Sequence, residues 1–599
     1  MVAWLVLLAC KDPVAPTPET EPGGWIGEGL LNPFPTMELV RDGHLAIPAG
    51  ALPVPSGGTA LDVARLNWRD GFSPVQASVV RLGVALDPAS VPGESRVGLG
   101  GAVRMVDLDS GVELPCFAEL DIHPDAVADP ARQALIVRPQ VAMPPGHRVA
   151  VVLTPQLLTA DGAPLSVPGW EAAKQDREDA RALSGDLAAL GITEVALAWD
   201  FPVGDARPLL QDVLVHGATP QAHAFTRVAD ADQPGGAVSG AWKTLEGTFT
   251  TTNWLVDDTR FEVDDDGMPV VQGEAEADLF VHVPDAVRGA RAGTVPVLVF
   301  GHGILGHPAD YLRDPDDVSR MIDLSNRMGA IVVATTWRGL TERDRVAAID
   351  VARDFGSFPD LTDKLVQGVA NTVALIRYAQ EGDLLEDERL MGLGDPTDIR
   401  YVGISLGAIE GAVTLAAQSR VTRGVLHVGG STWGTMLERS SNWSPFELFV
   451  VQSVPDPWER QVLYATSQLL WDPVDPAIWT EQLASREILW QEAIGDNQVP
   501  NMTTELLVRS LGAPVAEPLV DRPWGMTTTA LPATGPVLVQ FDPEVGLPDP
   551  GNRPADNTRA HDLPRRWEGT VRQAETFLRQ GVARHYCGET VCSAQNPGE

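Results

Sequence analysis

One segment combines a nucleophile with the glycines that its exposure requires: residues 403–407 read Gly-Ile-Ser-Leu-Gly. An apolar run, residues 399–404, precedes Ser405, and a run of small residues, 408–417, follows it. This order predicts a strand, a strained turn that exposes the serine Oγ, and a helix whose N-terminus favours developing negative charge. Ser405 is therefore the candidate nucleophile of an acyl-transfer reaction. The alternative is an ordinary tight turn with a buried serine.

A glycine-rich loop lies upstream of this turn. Residues 297–300 (VLVF) predict a buried strand, and residues 301–306 (GHGILG) follow it. Stabilising a tetrahedral oxyanion needs two N–H donors, one from such a loop and one from the residue after the nucleophile. These donors are expected to be the backbones of Ile304 and Leu406. His302 is expected to be structural. A glycine loop would also suit a phosphate cradle, but no Lys-Ser or Lys-Thr follows this one.

The candidate acid is Asp496, which follows a predicted strand at residues 488–491 and precedes a predicted helix at 502–511. A carboxylate in such a loop can hold an imidazole in the tautomer that accepts the serine proton. Asp542 and Asp549 are rivals, because they follow the next predicted strand, residues 537–541. The alternative is that Asp496 lies in a solvated turn and has no catalytic role.

Three histidines lie downstream of Ser405. His427 falls inside an apolar strand, where a satisfied core histidine is expected. His585 adjoins the terminal cysteine pair, where a surface role is expected. His561 lies in a loop before the last predicted helix, where a base can reach the nucleophile. The predicted triad is therefore Ser405, Asp496 and His561.

The elements that must position these residues alternate between strand and helix. Residues 331–334 (IVVA) predict a further strand, and residues 361–380 predict a helix with an apolar stripe. Alternation of this kind predicts a mainly parallel sheet with helices on both faces. We therefore expect an α/β catalytic domain over residues 241–599.

The front part of the chain, residues 31–240, has a different rhythm. Short β-rich runs at residues 77–86, 102–108 and 148–153 are separated by turn residues, which predicts an antiparallel sandwich. Residues 144–165 resemble the last hairpin of bacterial Ig-like modules. Two helical stretches, residues 170–190 and 206–216, lead out of this domain.

About 55 residues, 431–485, interrupt the strand–helix order of the catalytic domain. An insertion here is expected to cap the active site, and its aromatic content suits an apolar acyl pocket. The alternative is that its tryptophans pack the core of the cap itself. They are Trp433, Trp443, Trp458, Trp471 and Trp479.

The first residues suggest export. Residues 1–9 are apolar but too short to cross about 30 Å of hydrocarbon. Residues 7–10 (LLAC) resemble a bacterial lipobox, in which Cys10 is lipidated and becomes the mature N-terminus. Residues 11–30 then form a Pro-rich tether. No Lys or Arg precedes the apolar run, which departs from the usual signal pattern, and a frayed N-terminus is the alternative.

The remaining cysteines fit an exported protein. Cys587 and Cys592 bracket a short turn that a disulfide could close, and Cys116 is expected to be a buried thiol. Neither Cys-x-x-Cys nor His-Glu-x-x-His occurs, so we expect no metal site and no cofactor. Residues 262–267 (EVDDDG) lack the later Glu of a calcium loop, which favours a hairpin turn.

The charge is strongly acidic. The chain of 599 residues has 44 Lys plus Arg against 81 Asp plus Glu, a net charge of −37. This excess argues against binding nucleic acid or anionic lipid headgroups by charge. A hydrophobic content of 44% excludes global disorder.

Residues 301–306, 403–407, 495–500 and 560–562 resemble the motifs of an α/β-hydrolase of the esterase and lipase kind, and Ser, Asp and His follow the same chain order. With the β-rich front part, the lipobox and the terminal cysteines, the chain resembles the lipoprotein lipases known as bacterial virulence-factor lipases. This resemblance implies hydrolysis of acylglycerols or lysophospholipids at an outer membrane.

The sequence therefore predicts an exported, lipid-anchored serine hydrolase of acyl or lipid esters, at the outer membrane or cell surface, with membrane contact through its anchor and no nucleic-acid partner. Two alternatives stay open. The same site could cleave peptides, since a fold does not fix its substrate. The protein could also be a surface binding lipoprotein whose catalytic half has decayed.

Overall fold

The structure of the chain, a computed structural model, describes residues 29–233 and 236–598. The predicted lipobox with Cys10 and most of the predicted tether lie outside these described residues. Within them, no helix is both long and apolar enough to cross a membrane.

The front part of the chain forms two antiparallel sheets that share one apolar core, and we call this pair of sheets the front sandwich. The strand order is β1-β5-β4 in one sheet and β3-β2-β6-β7 in the other. The resemblance to Ig-like modules stays a prediction. The strands are Ser78–Arg81 (β1), Val103–Asp107 (β2), Glu113–Leu114 (β3), Cys116–Leu120 (β4), Ala134–Pro139 (β5), Arg148–Leu153 (β6) and Leu197–Pro202 (β7).

Three helices lead out of this part: Pro168–Asp176 (α1), Glu178–Ala189 (α2) and Arg207–His216 (α3). The first predicted helical stretch is thus divided in two. Arg177 separates the pieces with an extended backbone, φ −116° and ψ 135°. Its guanidinium lies 2.8 Å from Glu38 and 2.7 Å from Asp179, so ion pairs accompany the break.

The second part of the chain is built on an 11-stranded sheet. Its strands are His223–Asp230 (β8), Ala241–Asn253 (β9), Gly273–Pro284 (β10), Val295–Gly301 (β11), Ile331–Ala334 (β12), Gly394–Ile404 (β13), Arg423–His427 (β14), Glu487–Ala493 (β15), Val515–Glu517 (β16), Thr528–Ala530 (β17) and Val537–Phe541 (β18). In space they follow the order β8-β9-β10-β12-β11-β13-β14-β15-β18-β16-β17.

The strands from β12 to β17 in this order are parallel, and β8, β9 and β10 add an antiparallel edge. The expectation of a mainly parallel α/β sheet is therefore confirmed. Because β8 pairs with β9, the expected domain boundary at 240/241 falls between two paired strands of one sheet. The large sheet begins at His223, ahead of that boundary.

Helices cover both faces of this sheet. The longer helices of this second part are Met321–Met328 (α4), Arg345–Arg353 (α5), Pro359–Glu381 (α6), Leu406–Ala417 (α7), Trp433–Arg439 (α8), Ser444–Ser453 (α9), Pro457–Trp471 (α10), Asn501–Ser510 (α11) and Glu568–Gln580 (α12). Side chains alternate along β11 as a strand requires. Val297 and Val299 belong to the core with α6 and α7, whereas Leu298 and Phe300 belong to the core with α4 and α12.

The insertion between β14 and β15 contains α8, α9 and α10. Helix α10 packs on β1 of the front part. Buried ion pairs cross the same interface, and Arg69 lies 2.5 Å from Asp472 while Arg138 lies 2.5 Å from Glu438. The insertion thus connects the front part of the chain to the second part.

Candidate active site

Ser405 occupies the turn between β13 and α7. Its backbone has φ 57° and ψ −122°, a conformation that costs a non-glycine residue free energy and is held by its surroundings. Its N–H donates to the carbonyl of His427 at 2.9 Å. A Cβ on Gly403 would lie 2.0 Å from the carbonyl oxygen of Gly407. The predicted need for glycines around this serine is therefore visible as direct backbone contact.

The loop after β11 lies beside Ser405. A Cβ built on Gly303 would lie 3.5 Å from the Cβ of Ser405. The N–H of Gly303 is already engaged, because it donates to the phenol oxygen of Tyr311 at 3.0 Å. Within the described residues, the N–H groups of Ile304 and Leu406 donate to no protein atom. Both predicted oxyanion donors are therefore free.

His302 holds the shape of this loop. The N–H of Trp337 donates to its Nε2 at 3.0 Å, and its Nδ1 lies 2.8 Å from the carbonyl oxygen of Gly303. Burial lowers its pKa to about 4, so the ring is neutral at pH 7. With both nitrogens bound to backbone groups, His302 fits the structural role expected for it.

Asp496 and His561 are in direct contact. Oδ2 of Asp496 lies 2.6 Å from Nδ1 of His561, and both side chains are almost completely buried. The other oxygen, Oδ1, accepts the backbone N–H groups of Gln498 at 2.9 Å and Val499 at 3.1 Å. The carboxylate is therefore fixed by its own loop and aimed at the imidazole. A contact of this kind can orient an imidazole so that its Nε2 is available as a base.

The rival residues have other partners. Oδ1 of Asp542 accepts the N–H of Glu544 at 2.8 Å, and Asp549 is exposed. Nε2 of His585 contacts the carbonyl oxygen of Thr590 at the surface. Among the described residues, neither rival aspartate contacts a histidine.

His427 is buried as expected but only half satisfied. Its Nδ1 lies 3.1 Å from Oε1 of Gln491, whereas its Nε2 has no hydrogen-bond partner among the described residues. Burial lowers its pKa to about 3. A small cavity between the sheet and helices α4 and α12 is lined by His427, Arg565 and Thr570. The side chain of His427 thus lies on the face of the sheet that α4 and α12 cover.

Most tryptophans of the insertion are core residues. Trp433 stacks on Trp471 with ring centroids 4.9 Å apart, and Trp471 meets Phe358 edge to face at 5.1 Å. Trp458 and Trp479 are also buried. This packing favours the alternative reading for these four residues. The half-buried Trp443, stacked on Phe446, is the one of the five left at the surface.

The predicted disulfide joins Cys587 and Cys592, whose Cα atoms are 5.2 Å apart. Cys116 is a free, buried cysteine, and burial raises the pKa of its thiol to about 12. The EVDDDG segment forms the expected hairpin turn, with a bridge between Val263 and Pro269.

Two groups of described residues have the spacing of metal ligands. One consists of His585 and the two cysteines, whose sulfurs are already joined to each other. The other lies in the front sandwich, where His147 Nδ1 is 2.8 Å from Asp107 Oδ2 and Asp109 accepts a backbone N–H. Neither group contains a residue of the predicted triad.

No protein-family profile matches the chain, and no curated protein matches its sequence. Solved structures do match. Acetyl xylan esterase 1 of a Thermoanaerobacterium strain is 15% identical with a TM-score of 0.34, covering 58% of this chain and 86% of its own. Acetyl xylan esterase of a Paenibacillus strain is 13% identical with a TM-score of 0.31, covering 56% and 87%. Acylaminoacyl peptidase of Pyrococcus horikoshii is 13% identical with a TM-score of 0.29, covering 61% and 51%.

These identities and TM-scores are low, so the fold assignment rests on this chain's own geometry. A serine in a strained turn between strand and helix, a glycine loop beside it, and a later Asp–His contact follow the chain order of an α/β-hydrolase. The resemblance noted in the sequence is supported at the level of this fold.

Two polar contacts of the site are not predicted by the sequence. Tyr311, which holds the N–H of Gly303, lies in the four-residue helix Ala309–Leu312. Asn497, the neighbour of the predicted acid, donates through Nδ2 to the carbonyl of Asp556 and so ties two loops together. Neither residue belongs to a local motif, because each contact depends on how distant loops meet.

Proposed function

We propose that this protein is a serine hydrolase that cleaves carboxylic esters through an acyl-enzyme. Ser405 attacks the acyl carbonyl, His561 accepts its proton, and Asp496 orients His561. The observation that carries the proposal is the 2.6 Å contact between Asp496 Oδ2 and His561 Nδ1. Both residues follow the strained Gly-Ile-Ser-Leu-Gly turn in the chain.

The chemistry follows from the tautomer that this contact imposes. When Nδ1–H donates to Asp496, the lone pair of Nε2 is free to take the proton of Ser405. The imidazolium then gives that proton to the leaving alkoxide as the tetrahedral intermediate collapses. In the second half-reaction, His561 takes a proton from water as the water oxygen attacks the acyl carbon. The bond from that carbon to Ser405 Oγ then breaks, His561 returns the proton to Oγ, and the carboxylic acid is released.

The N–H groups of Ile304 and Leu406 are proposed to hold the oxyanion of both intermediates. Each is free of protein acceptors in the described structure. Leu406 also begins α7, where a helix N-terminus adds partial positive charge. Preorganised donors of this kind cost no reorganisation when charge develops.

An acyl or lipid ester is the substrate class we propose, as in the virulence-factor lipases that the sequence resembles. The apolar helix α9, with Phe446 and Leu448 at least partly exposed, supports this choice, because an acyl chain needs apolar contacts. We also propose export as a lipoprotein of the outer membrane or cell surface. The lipobox at Cys10 and the Cys587–Cys592 disulfide support export.

The test is hydrolysis of p-nitrophenyl esters from acetate to palmitate by the wild type and Ser405→Ala. We expect serine-dependent activity that rises with chain length, and a fall in turnover by about 10⁴-fold or more in the variant. A short-chain optimum would keep the esterase and reject the lipid substrate. Wild-type turnover in Ser405→Ala would end the assignment.

Two competing functions are separated by the same preparation. A peptidase would cleave aminoacyl p-nitroanilides faster than acyl esters. A decayed binding protein would fail to react with a fluorophosphonate probe despite a native circular dichroism spectrum. Radiolabelled palmitate incorporated by the wild type but not by Cys10→Ser would support the anchor, and no incorporation would reject it.

A further inference from the structure

The segment between β18 and His561 has no regular structure of its own. Residues 543–559 contain no helix and no strand. Irregular connections of this length are uncommon in compact domains and usually have a function or are disordered. If His561 acts as the base, the position of this loop decides how the base meets Ser405.

Asn552 is the point at which the loop is held. Its side chain is fully buried, and all of its polar atoms are engaged. Oδ1 accepts the backbone N–H of Ile122 at 2.9 Å, and Nδ2 donates to Oδ1 of Asp121 at 3.1 Å. Nδ2 also lies 3.2 Å from Oε1 of Glu438. One amide therefore joins the catalytic loop to the front sandwich and to helix α8.

Packing reinforces these hydrogen bonds. Gly551 has φ +132°, and a Cβ there would lie 2.3 Å from Cδ1 of Ile122, so the loop rests directly on that side chain. The guanidinium of Arg439 donates to the carbonyl of Gly551 and lies 2.7 Å from Glu119 of β4. The front sandwich thus contacts the loop through side chain, backbone and a bridging arginine.

A second set of bonds connects the held segment to the acid. Asn497 donates to the carbonyl of Asp556, and Thr558 Oγ1 donates to the carbonyl of Gly495 at 3.3 Å. These residues flank Asp496 on one side and approach His561 on the other. The loop is therefore fixed in its middle by Asn552 and at its end by the loop that carries the acid.

We infer that the front sandwich is a positioning element of the active site, and that Asn552 is the positioning residue through which it fixes His561. This inference rests on the proposed function, since it concerns the same base. Asn552 touches neither Ser405 nor His561, so its effect passes through the loop. The sandwich is thereby assigned a role in turnover and not only in anchoring the chain.

The expected cost follows from geometry. Displacing a catalytic group by about 1 Å can cost about 100-fold in rate. Asn552→Ala removes three hydrogen bonds and leaves Asp121 and Glu438 facing a small gap. We expect kcat to fall by roughly 10- to 100-fold while KM changes by less than about threefold, because nothing in the proposed oxyanion or acyl contacts is altered.

The matched control is Gln76→Ala. Gln76 is also buried and also ties the sandwich to the insertion, because its Nε2 donates to the carbonyl of Ala465 at 2.6 Å. It makes no hydrogen bond to residues 543–559. Gln76→Ala is expected to lower the unfolding temperature while kcat stays within about twofold of the wild type.

A double-mutant cycle separates positioning from general damage. With His561→Ala as the background, the base is gone, so Asn552→Ala is expected to have no further effect on the residual rate. General damage to the fold would instead lower the rate by the same factor in both backgrounds. Rates are measured with a p-nitrophenyl ester, and folding is checked by circular dichroism.

Ile122→Ala keeps the test open if Asn552→Ala does not fold. Ile122 is 40% exposed, so its truncation is compatible with folding, yet it removes the side chain on which Gly551 rests. We expect a severalfold loss of kcat that also disappears in the His561→Ala background. An active wild type that needs His561 but is unaffected by these variants would overturn the inference. An inactive wild type, or one that does not need His561, would instead overturn the proposed function.

Discussion

The backbones of Gly407 and Gly301 are in contact: a Cβ on Gly407 would lie 2.0 Å from the carbonyl oxygen of Gly301. The carbonyl oxygen belongs to the main chain, so it cannot rotate away from an added Cβ as a side-chain atom would. Gly407 belongs to α7, directly after Ser405, and Gly301 ends β11, where the loop with the proposed oxyanion donor Ile304 begins. The two halves of the proposed site therefore meet at a glycine.

The first prediction concerns this contact. Gly407→Ala must push α7 away from β11 and is expected to lower the free energy of unfolding by about 1–3 kcal/mol and to reduce turnover by at least about 100-fold. Thermal unfolding and fluorophosphonate labelling of Ser405 measure the two effects. Gly185→Ala is the control, because a Cβ there meets no atom within 4 Å. It lies inside α2 and is expected to stabilise by about 0.5–1 kcal/mol. Unchanged labelling of Gly407→Ala would refute the role of the contact.

The second prediction concerns the acid. Asp496→Asn keeps an oxygen for the N–H groups of Gln498 and Val499 but presents an amide that favours the wrong imidazole tautomer. We expect kcat to fall by about 10⁴-fold with the fold intact. Asp542→Asn, at the rival position, is expected to stay within about twofold of the wild type. The reverse outcome would move the acid to Asp542.

Much of this site is predictable because its signals are local. The strands at residues 148–153 and 537–541 have the predicted bounds, since each is an apolar run between turn residues. The turn at Ser405 is predictable from its pattern of glycines, and the contact of Gly403 with the backbone of Gly407 lies within that turn. The pairing of Asp496 with His561 is almost as predictable, because the loops at the C-terminal ends of parallel strands meet at one edge of the sheet.

The remainder depends on distant contacts. Strand β7, Leu197–Pro202, is not among the predicted strands, and it pairs with β6 because the sandwich closes there. Asn552 is one polar residue in an irregular loop, and its partners Asp121 and Glu438 are 431 and 114 positions away. The sequence does not predict whether the tryptophans of the insertion pack in the core or line a pocket, because aromatic residues are common in both.

The third prediction is a dependence on pH. His123 Nδ1 lies 2.6 Å from Asp121 and Nε2 lies 3.1 Å from Glu447. Burial alone would lower the pKa of His123, but hydrogen bonds to these carboxylates outweigh it and raise the pKa to about 10. The folded state thus holds the proton more tightly than the unfolded state, whose pKa is near 6.5.

This stabilisation is fully present below pH 6.5 and is lost as the pH rises towards 10. One pKa unit corresponds to about 1.4 kcal/mol, so a loss of a few kcal/mol is expected across that window. Urea unfolding at intervals of pH measures it. His123→Gln, which carries no proton to lose, is expected to be less stable at pH 6.5 and to show a flatter profile. Equal slopes for both proteins would contradict the assignment.

The fourth prediction concerns the C-terminal disulfide. Cys592 accepts the N–H of Asp542 through its carbonyl at 2.9 Å, and the N–H of Gly569 donates to the carbonyl of Pro597 at 2.9 Å. The disulfide therefore fixes a C-terminal tail that packs on β18 and α12. Replacing both cysteines by serine is expected to lower the free energy of unfolding by about 2 kcal/mol, measured by urea unfolding. Reduced wild type should behave as the double variant does, and no change in either would show that the tail holds without the bond.

The last prediction tests how the sandwich grips the insertion. Arg138 of β5 lies 2.6 Å from Glu119 and 2.5 Å from Glu438, and its side chain is 2% exposed. Arg138→Leu leaves the buried carboxylate of Glu438 without a cation, whereas Glu119 keeps its contact with Arg439. The variant is expected to lower the free energy of unfolding by about 3–5 kcal/mol. Arg132 provides the control, because it crosses the same interface to Asp456 at 3.2 Å but is 59% exposed. Water screens that pair, so Arg132→Leu is expected to cost less than about 1 kcal/mol. Equal losses in the two variants, compared by urea unfolding, would show that burial does not set the strength of this interface.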